Sequence, residues 1–257
     1  MPSPPPRGLV TADEVAHLPA ALRDHRTTLC VRPPARPLAP AAWHRAKYQP
    51  GLATALLDLA GTASVGDPFA GTGRFFEETQ VAGGAANDLD PRCADAIRAL
   101  GVPGLEVTNL PADRTPWHRD ALIFSPPYYP RTDRCQPNAH DDGKRGPVVG
   151  FRDSYGCSDP AFVGNPAGVE GIYRYREAMR AVYAHLRACG TRMVVVTKNW
   201  VRKGVELRLD WDTILMAEAA GWHPVRRTGW EPPQSLWSKF NQARGGMVTV
   251  EDVLIFD

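Results

Sequence analysis

The chain predicts an α/β fold, a doubly wound and mostly parallel sheet of Rossmann-like type with an antiparallel last strand. Three observations predict it. Short apolar runs alternate with helical patterns from residue 63 onward, as parallel strands with crossover helices require. Two turns rich in glycine or proline, Asp67 to Gly73 and Ser125 to Tyr128, each follow one of those runs. The final run, Val248 to Phe256, has a partner in the segment around His223 to Trp230. With 257 residues and 43% hydrophobic content, one sizeable core is within reach.

The first eight residues and Arg32 to Pro37 are proline-rich and read as extended, so residues 1–40 are expected to form an N-terminal arm and 41–257 a single domain. Within the arm, Thr11 to Leu22 reads as a short helix, with Thr11 as cap and Glu14 completing a capping box. Pro50 to Ala60 reads as a helix that starts on proline and stops at Gly61. Ala63 to Asp67 is a strand, Arg74 to Val81 a helix, Gly84 to Asp88 a strand and Pro91 to Leu100 a helix. Leu105 to Thr108 and Ala121 to Ser125 are strands. From about 130 to 170 no period is sustained, which marks an irregular insertion beside the second turn. Tyr173 to Cys189 is an amphipathic helix, Arg192 to Thr197 a buried strand and Asp210 to Ala220 a helix ending at Gly221.

Composition narrows the setting. No segment has the ~20 apolar residues of a membrane helix, and the N-terminus carries no signal-peptide pattern, so a cytoplasmic protein with no membrane partner is expected. Five scattered cysteines argue against a disulfide framework, and the absence of a Cys-x-x-Cys pair argues against a zinc ribbon. Cys135, His140 and Cys157 are too irregularly spaced for a metal site, and none is expected. A net charge of +2 neither demands nor excludes a polyanion, but two stretches are locally basic. One holds Lys198, Arg202, Lys203 and Arg208; the other holds Arg226, Arg227, Lys239 and Arg244. Aromatic residues interleave with both, which suits phosphate contact as well as a solvated surface.

Asp67-Pro68-Phe69-Ala70-Gly71-Thr72-Gly73 lacks both the dinucleotide spacing and the Gly-Lys-Ser/Thr phosphate grip. Its small residues let backbone approach a ligand at a helix N-terminus, and Phe69 can cover an apolar portion; a plain strand-to-helix connection is the alternative. Asp88 lies roughly where dinucleotide folds place a ribose-binding carboxylate, about twenty residues past the glycines, whereas Asp90 before Pro91 reads as a helix cap. In Ser125-Pro126-Pro127-Tyr128, a hydroxyl, a fixed carbonyl and an aromatic ring follow an apolar run. That set can grip a planar amino group, which points to chemistry on a nucleobase. The alternative is a Pro-Pro-x-Tyr ligand or a rigid turn, but such ligands sit in disordered segments rather than at the end of a buried strand.

These two motifs, in this order, resemble the amino-methyltransferases of nucleic acids, over roughly residues 43 to 257. The resemblance implies the class I methyltransferase version of the fold, with S-adenosylmethionine as cofactor. It places the methionine end of that cofactor against Asp67, Phe69, Ala70, Gly71, Thr72 and Gly73, its ribose at Asp88 and its adenine at Asn109. It makes Ser125, Pro126, Pro127 and Tyr128 the catalytic set, with Tyr128 stacking on a base flipped from the duplex. Serine in the first position is typical of enzymes acting on N4 of cytosine. Double-stranded DNA is the implied partner, with a cognate restriction endonuclease or a phage as the setting. Methylation of adenine N6 or of an RNA base is the alternative, and a catalytically silent nucleic-acid-binding module is the rival from another class. Methylation at cytosine C5 is disfavoured, because no cysteine follows a proline. Arg131, Lys198, Trp237, Lys239 and Arg244 are candidates for nucleic-acid contact.

Overall fold

The computed structural model describes residues 10–24, 27–31, 48–127, 171–202, 205–231 and 250–257. Among the described residues, eight strands form one sheet. From one edge it runs β4 (Glu106–Thr108), β3 (Ala85–Asn87), β2 (Val65–Asp67), β5 (Ala121–Phe124) and β6 (Arg192–Thr197). It continues through β10 (Glu251–Phe256) and β9 (Pro224–Trp230) to β1 (Thr27–Thr28), while β7 (Trp200–Arg202) and β8 (Val205–Leu207) pair separately. All neighbouring pairs are parallel except those made by β10, which runs antiparallel to both β6 and β9. This is the doubly wound, Rossmann-like arrangement with an antiparallel last strand that the sequence predicts.

Residues alternate between the faces of the central strands, and each face has its own core. Leu122 and Phe124, Met193 and Val195, Leu254 and Phe256 point to one side, where α5 (Gly171–Leu186) and α6 (Leu209–Ala219) contribute Met179, Tyr183, Ile214 and Ala217. Ala121 and Ile123, Val194 and Val196, Val253 and Ile255 point to the other. There α2 (Leu52–Ala60), α3 (Arg74–Thr79) and α4 (Pro91–Ala99) contribute Leu52, Leu56, Phe75, Phe76 and Ile97. Strands buried on both faces read as continuous apolar runs, which is why this part of the chain was legible.

The N-terminal part departs from expectation. Thr11 and Glu14 do form the reciprocal bonds of a capping box, but only turns follow, and the α-helix is α1 (Ala20–Arg23) alone. Pro19 explains the difference: it has no amide hydrogen to donate and biases Leu18 away from helical geometry. Residues 10–24 and 27–31 are not a detached arm. Val15, Leu18 and Leu22 are buried in the core, and Thr27 and Thr28 pair with Thr228 and Gly229 along the sheet edge. The second helix begins at Leu52 rather than Pro50, since Gly51 has a left-handed φ of 87°. Its free amides are capped from α3: Glu78 accepts hydrogen bonds from the Gly51 and Thr54 amides at 2.9 and 3.0 Å.

The basic stretches are also used differently. Arg227, 4% exposed, donates to Asp252 at 2.9 Å, to Asp210, and to the carbonyls of Leu22 and Arg23. Arg208 donates to Asp210 and lies over the Trp211 ring. These guanidiniums tie α6, the last hairpin and α1 together. Burial works against the charge of Asp210, but its bonds with Arg208 and Arg227 more than offset this and hold its carboxyl below the usual range. No helix among the described residues is long and apolar enough to cross a membrane.

Candidate functional site at the carboxyl ends of the parallel strands

In β2 and β5, Val65 pairs with Ala121 and Gly66 with Leu122. The chain leaves β2 outward through β3 and β4, then returns to β5 on the other side. The order therefore reverses between β2 and β5, and ligands of doubly wound sheets bind outside such a switch point. The glycine turn leaves one of these strands and Ser125-Pro126-Pro127 leaves the other, as expected. Tyr128 lies outside the described residues, as do Arg131, Trp237, Lys239 and Arg244 and the cysteine and histidine positions considered for a metal.

The glycine turn is built from backbone bonds. Asp67, 1% exposed, accepts from the Phe69 amide at 2.8 Å, the Ala70 amide donates to the Asn87 carbonyl at 2.8 Å, and the Gly73 amide donates to the Ala70 carbonyl at 2.8 Å. Burial above all pushes the Asp67 carboxyl well above the usual range, with its bond from Phe69 working the other way. Asp67 thus braces the turn through Phe69, and Thr72 is buried within it. Gly73 must be glycine for two reasons: its φ is 76°, and a Cβ there would approach Leu100 to 2.8 Å and Ile97 to 3.0 Å. Phe69 and Ala70 are half-buried, and the Phe69 ring packs against Phe124 with centroids 5.7 Å apart.

Asp88 follows β3. One carboxylate oxygen accepts from the Gly71 amide at 2.8 Å and the other from the Asp90 amide at 2.9 Å. Burial raises its pKa to about 6, partly offset by these two amides, while Asp90 adds like charge nearby. Asp90 is the helix cap that the sequence predicts, accepting from the Arg92 amide at 2.9 Å ahead of Pro91. Asn109, exposed after β4, donates both amide hydrogens to the carbonyls of Asp88 and Leu89, at 2.7 and 2.9 Å.

Sequence reasoning passed over Asn87. Its amide donates to the carbonyls of Pro68 and Leu110 at 3.1 and 2.9 Å, and its oxygen accepts from the Thr108 hydroxyl and Leu110 amide at 2.8 and 3.0 Å. One buried side chain thereby fastens the ends of β2, β3 and β4 together. The available signal was a polar residue closing the run Gly84-Ala85-Ala86. Lys198, a candidate for nucleic-acid contact, is paired with Glu251 at 3.6 Å. Its neighbour Asn199 is buried, donating to Glu206 at 2.9 Å and accepting from the Asp210 amide at 3.1 Å at the start of α6.

Two of the polar groups gathered here are acceptors: the Asp88 carboxylate and the Asn109 carbonyl oxygen. They suit a ligand that presents donors, such as a ribose with two hydroxyls and a base with an exocyclic amine, and S-adenosylmethionine carries both.

No protein-family model and no curated protein matches the chain. Among solved structures, TrmN from Thermus thermophilus is 16% identical with a TM-score of 0.45, over 80% of this chain and 48% of that one, so the chain spans about half its length. A protein of Pyrococcus horikoshii provisionally assigned as an RNA methyltransferase is 14% identical with a TM-score of 0.47, over 95% and 98% of the two chains. Magnesium protoporphyrin IX methyltransferase of Synechocystis PCC 6803, with bound SAM, is 10% identical with a TM-score of 0.45, over 80% and 75%. Likenesses at this level assign neither activity nor ligand to this chain.

Proposed function

We propose that the protein transfers a methyl group from S-adenosylmethionine to an exocyclic amino group of a DNA base, N4 of cytosine in the first instance. The observation that carries this reading is the pairing of Gly66 with Leu122, which brings the glycine turn and Ser125-Pro126-Pro127 side by side across the switch point. Asp88 would accept from the ribose hydroxyls, Asn109 Oδ1 from the adenine amine, and Phe69 and Ala70 would cover the methionine portion. When bound, the cofactor supplies an electrophilic methyl on a sulfonium.

The amine is a poor nucleophile because its lone pair is delocalised into the base. Acceptance of its two hydrogens by the Ser125 hydroxyl oxygen and the Pro126 carbonyl favours a tetrahedral nitrogen and localises that lone pair. In-line attack by that lone pair on the methyl would break the methyl–sulfur bond, release S-adenosylhomocysteine and pass one amine proton to water, with positioning supplying much of the rate. Prolines at 126 and 127 suit the task, since they fix the backbone and bring no competing amide donor. A base must leave the duplex to reach this site, and Tyr128 would stack on it there.

Labelled-methyl transfer to DNA and to RNA, followed by nucleoside mass spectrometry, tests the reading. N4-methylcytosine in DNA is expected. N6-methyladenine would overturn the choice of base, label in RNA alone the choice of polymer, and no label in either with cofactor bound the activity itself.

A further inference from the structure

We infer that Asn109 is a positioning residue whose amide locks the Asp88 loop in place, so that an aspartate at this position would undo the site. The inference rests on the cofactor reading above for its ligand, but its structural half stands alone. The ladder between β3 and β4 ends with Asn87 opposite Thr108, and beyond it the Asp88 amide reaches the Thr108 carbonyl only at 3.4 Å. From there the loop is held by the Asn109 side chain, which donates to the carbonyls of Asp88 and Leu89. Both partners are pure acceptors, so the nitrogen must be the atom facing them. Its two hydrogens are spent, and Oδ1, which has no partner among the described residues, remains as an acceptor for a ligand. The same loop aims Asp88, whose carboxylate receives the amides of Gly71 and Asp90.

Aspartate would keep an acceptor for an adenine amine but lose both anchoring donors. It would also set an anion against two carbonyls, in a loop that already carries the carboxylates of Asp88 and Asp90. A residue that only touched adenine would tolerate the change.

Two measurements on Asn109→Asp and Asn109→Ala separate these roles. In cofactor-free protein, amide exchange at Gly71 and Asp90 should quicken about tenfold in both variants. The dissociation constant for S-adenosylhomocysteine should rise about tenfold in both, and in an Asn109→Ala background Asp88→Asn should cost clearly less than it does in the wild type. Unchanged exchange, or an Asn109→Asp variant that binds as well as the wild type, overturns the inference. Quickened exchange in a protein whose wild type binds no S-adenosylhomocysteine would sustain the anchoring role and overturn the cofactor reading.

Discussion

The carboxylate of Asp88 accepts a hydrogen bond from the backbone amide of Gly71 at 2.8 Å. The residue at the end of β3 therefore helps hold the turn at the end of β2, and two parts of the candidate cofactor site are set by one contact.

That contact has a pH signature. Burial raises the Asp88 pKa from the usual 3.8 to about 6. The protonated form is thus favoured by folding, so this group's contribution to stability is fully present below about 4 and is lost as pH rises through about 6. Binding of ribose hydroxyls favours the ionised form, so affinity has the opposite dependence. S-adenosylhomocysteine should bind about tenfold more weakly at pH 5 than at pH 7.5, since near pH 5 only about a tenth of the group is ionised. Calorimetric titration should find the dependence much reduced in Asp88→Asn; an equal dependence in that variant would assign it elsewhere.

Asn87→Ala should destabilise the protein by roughly 3 kcal/mol, because it removes the buried side chain that bonds the Pro68 and Leu110 carbonyls and the Leu110 amide. Urea denaturation gives the value, and a loss under about 1 kcal/mol would contradict the fastening role.

Arg227→Ala removes the guanidinium shared by Asp210 and Asp252 and should cost roughly 3–5 kcal/mol, as expected when one partner of a buried ion network is deleted. Residues 10–24 should also become more susceptible to proteolysis, since Arg227 holds the carbonyls of Leu22 and Arg23.

The central strands, the Asp90 cap and the two turns were legible because each has a local cause: an apolar run, a cap before proline, or residues that only a special backbone tolerates. Arg227 and Arg208 were not, since a cation buried between carboxylates looks in sequence like one bound for solvent or phosphate. The pairing of Lys198 with Glu251 was hidden in the same way, since the two residues are far apart in the chain. Asp88 stands out in the sequence by its distance from the glycines, but its bond to Gly71 depends on the pairing of β2 with β3. Asn87 was hidden because its four partners come from three separate segments.

The central claim is that Ser125 works on a bound amine rather than on the cofactor. Methyl transfer to cytosine-containing duplex DNA, measured for wild type and Ser125→Ala beside their affinities for S-adenosylhomocysteine, tests it most directly. The account predicts that transfer falls at least about a hundredfold while the dissociation constant stays within about twofold. Transfer by the variant at the wild-type rate would contradict it.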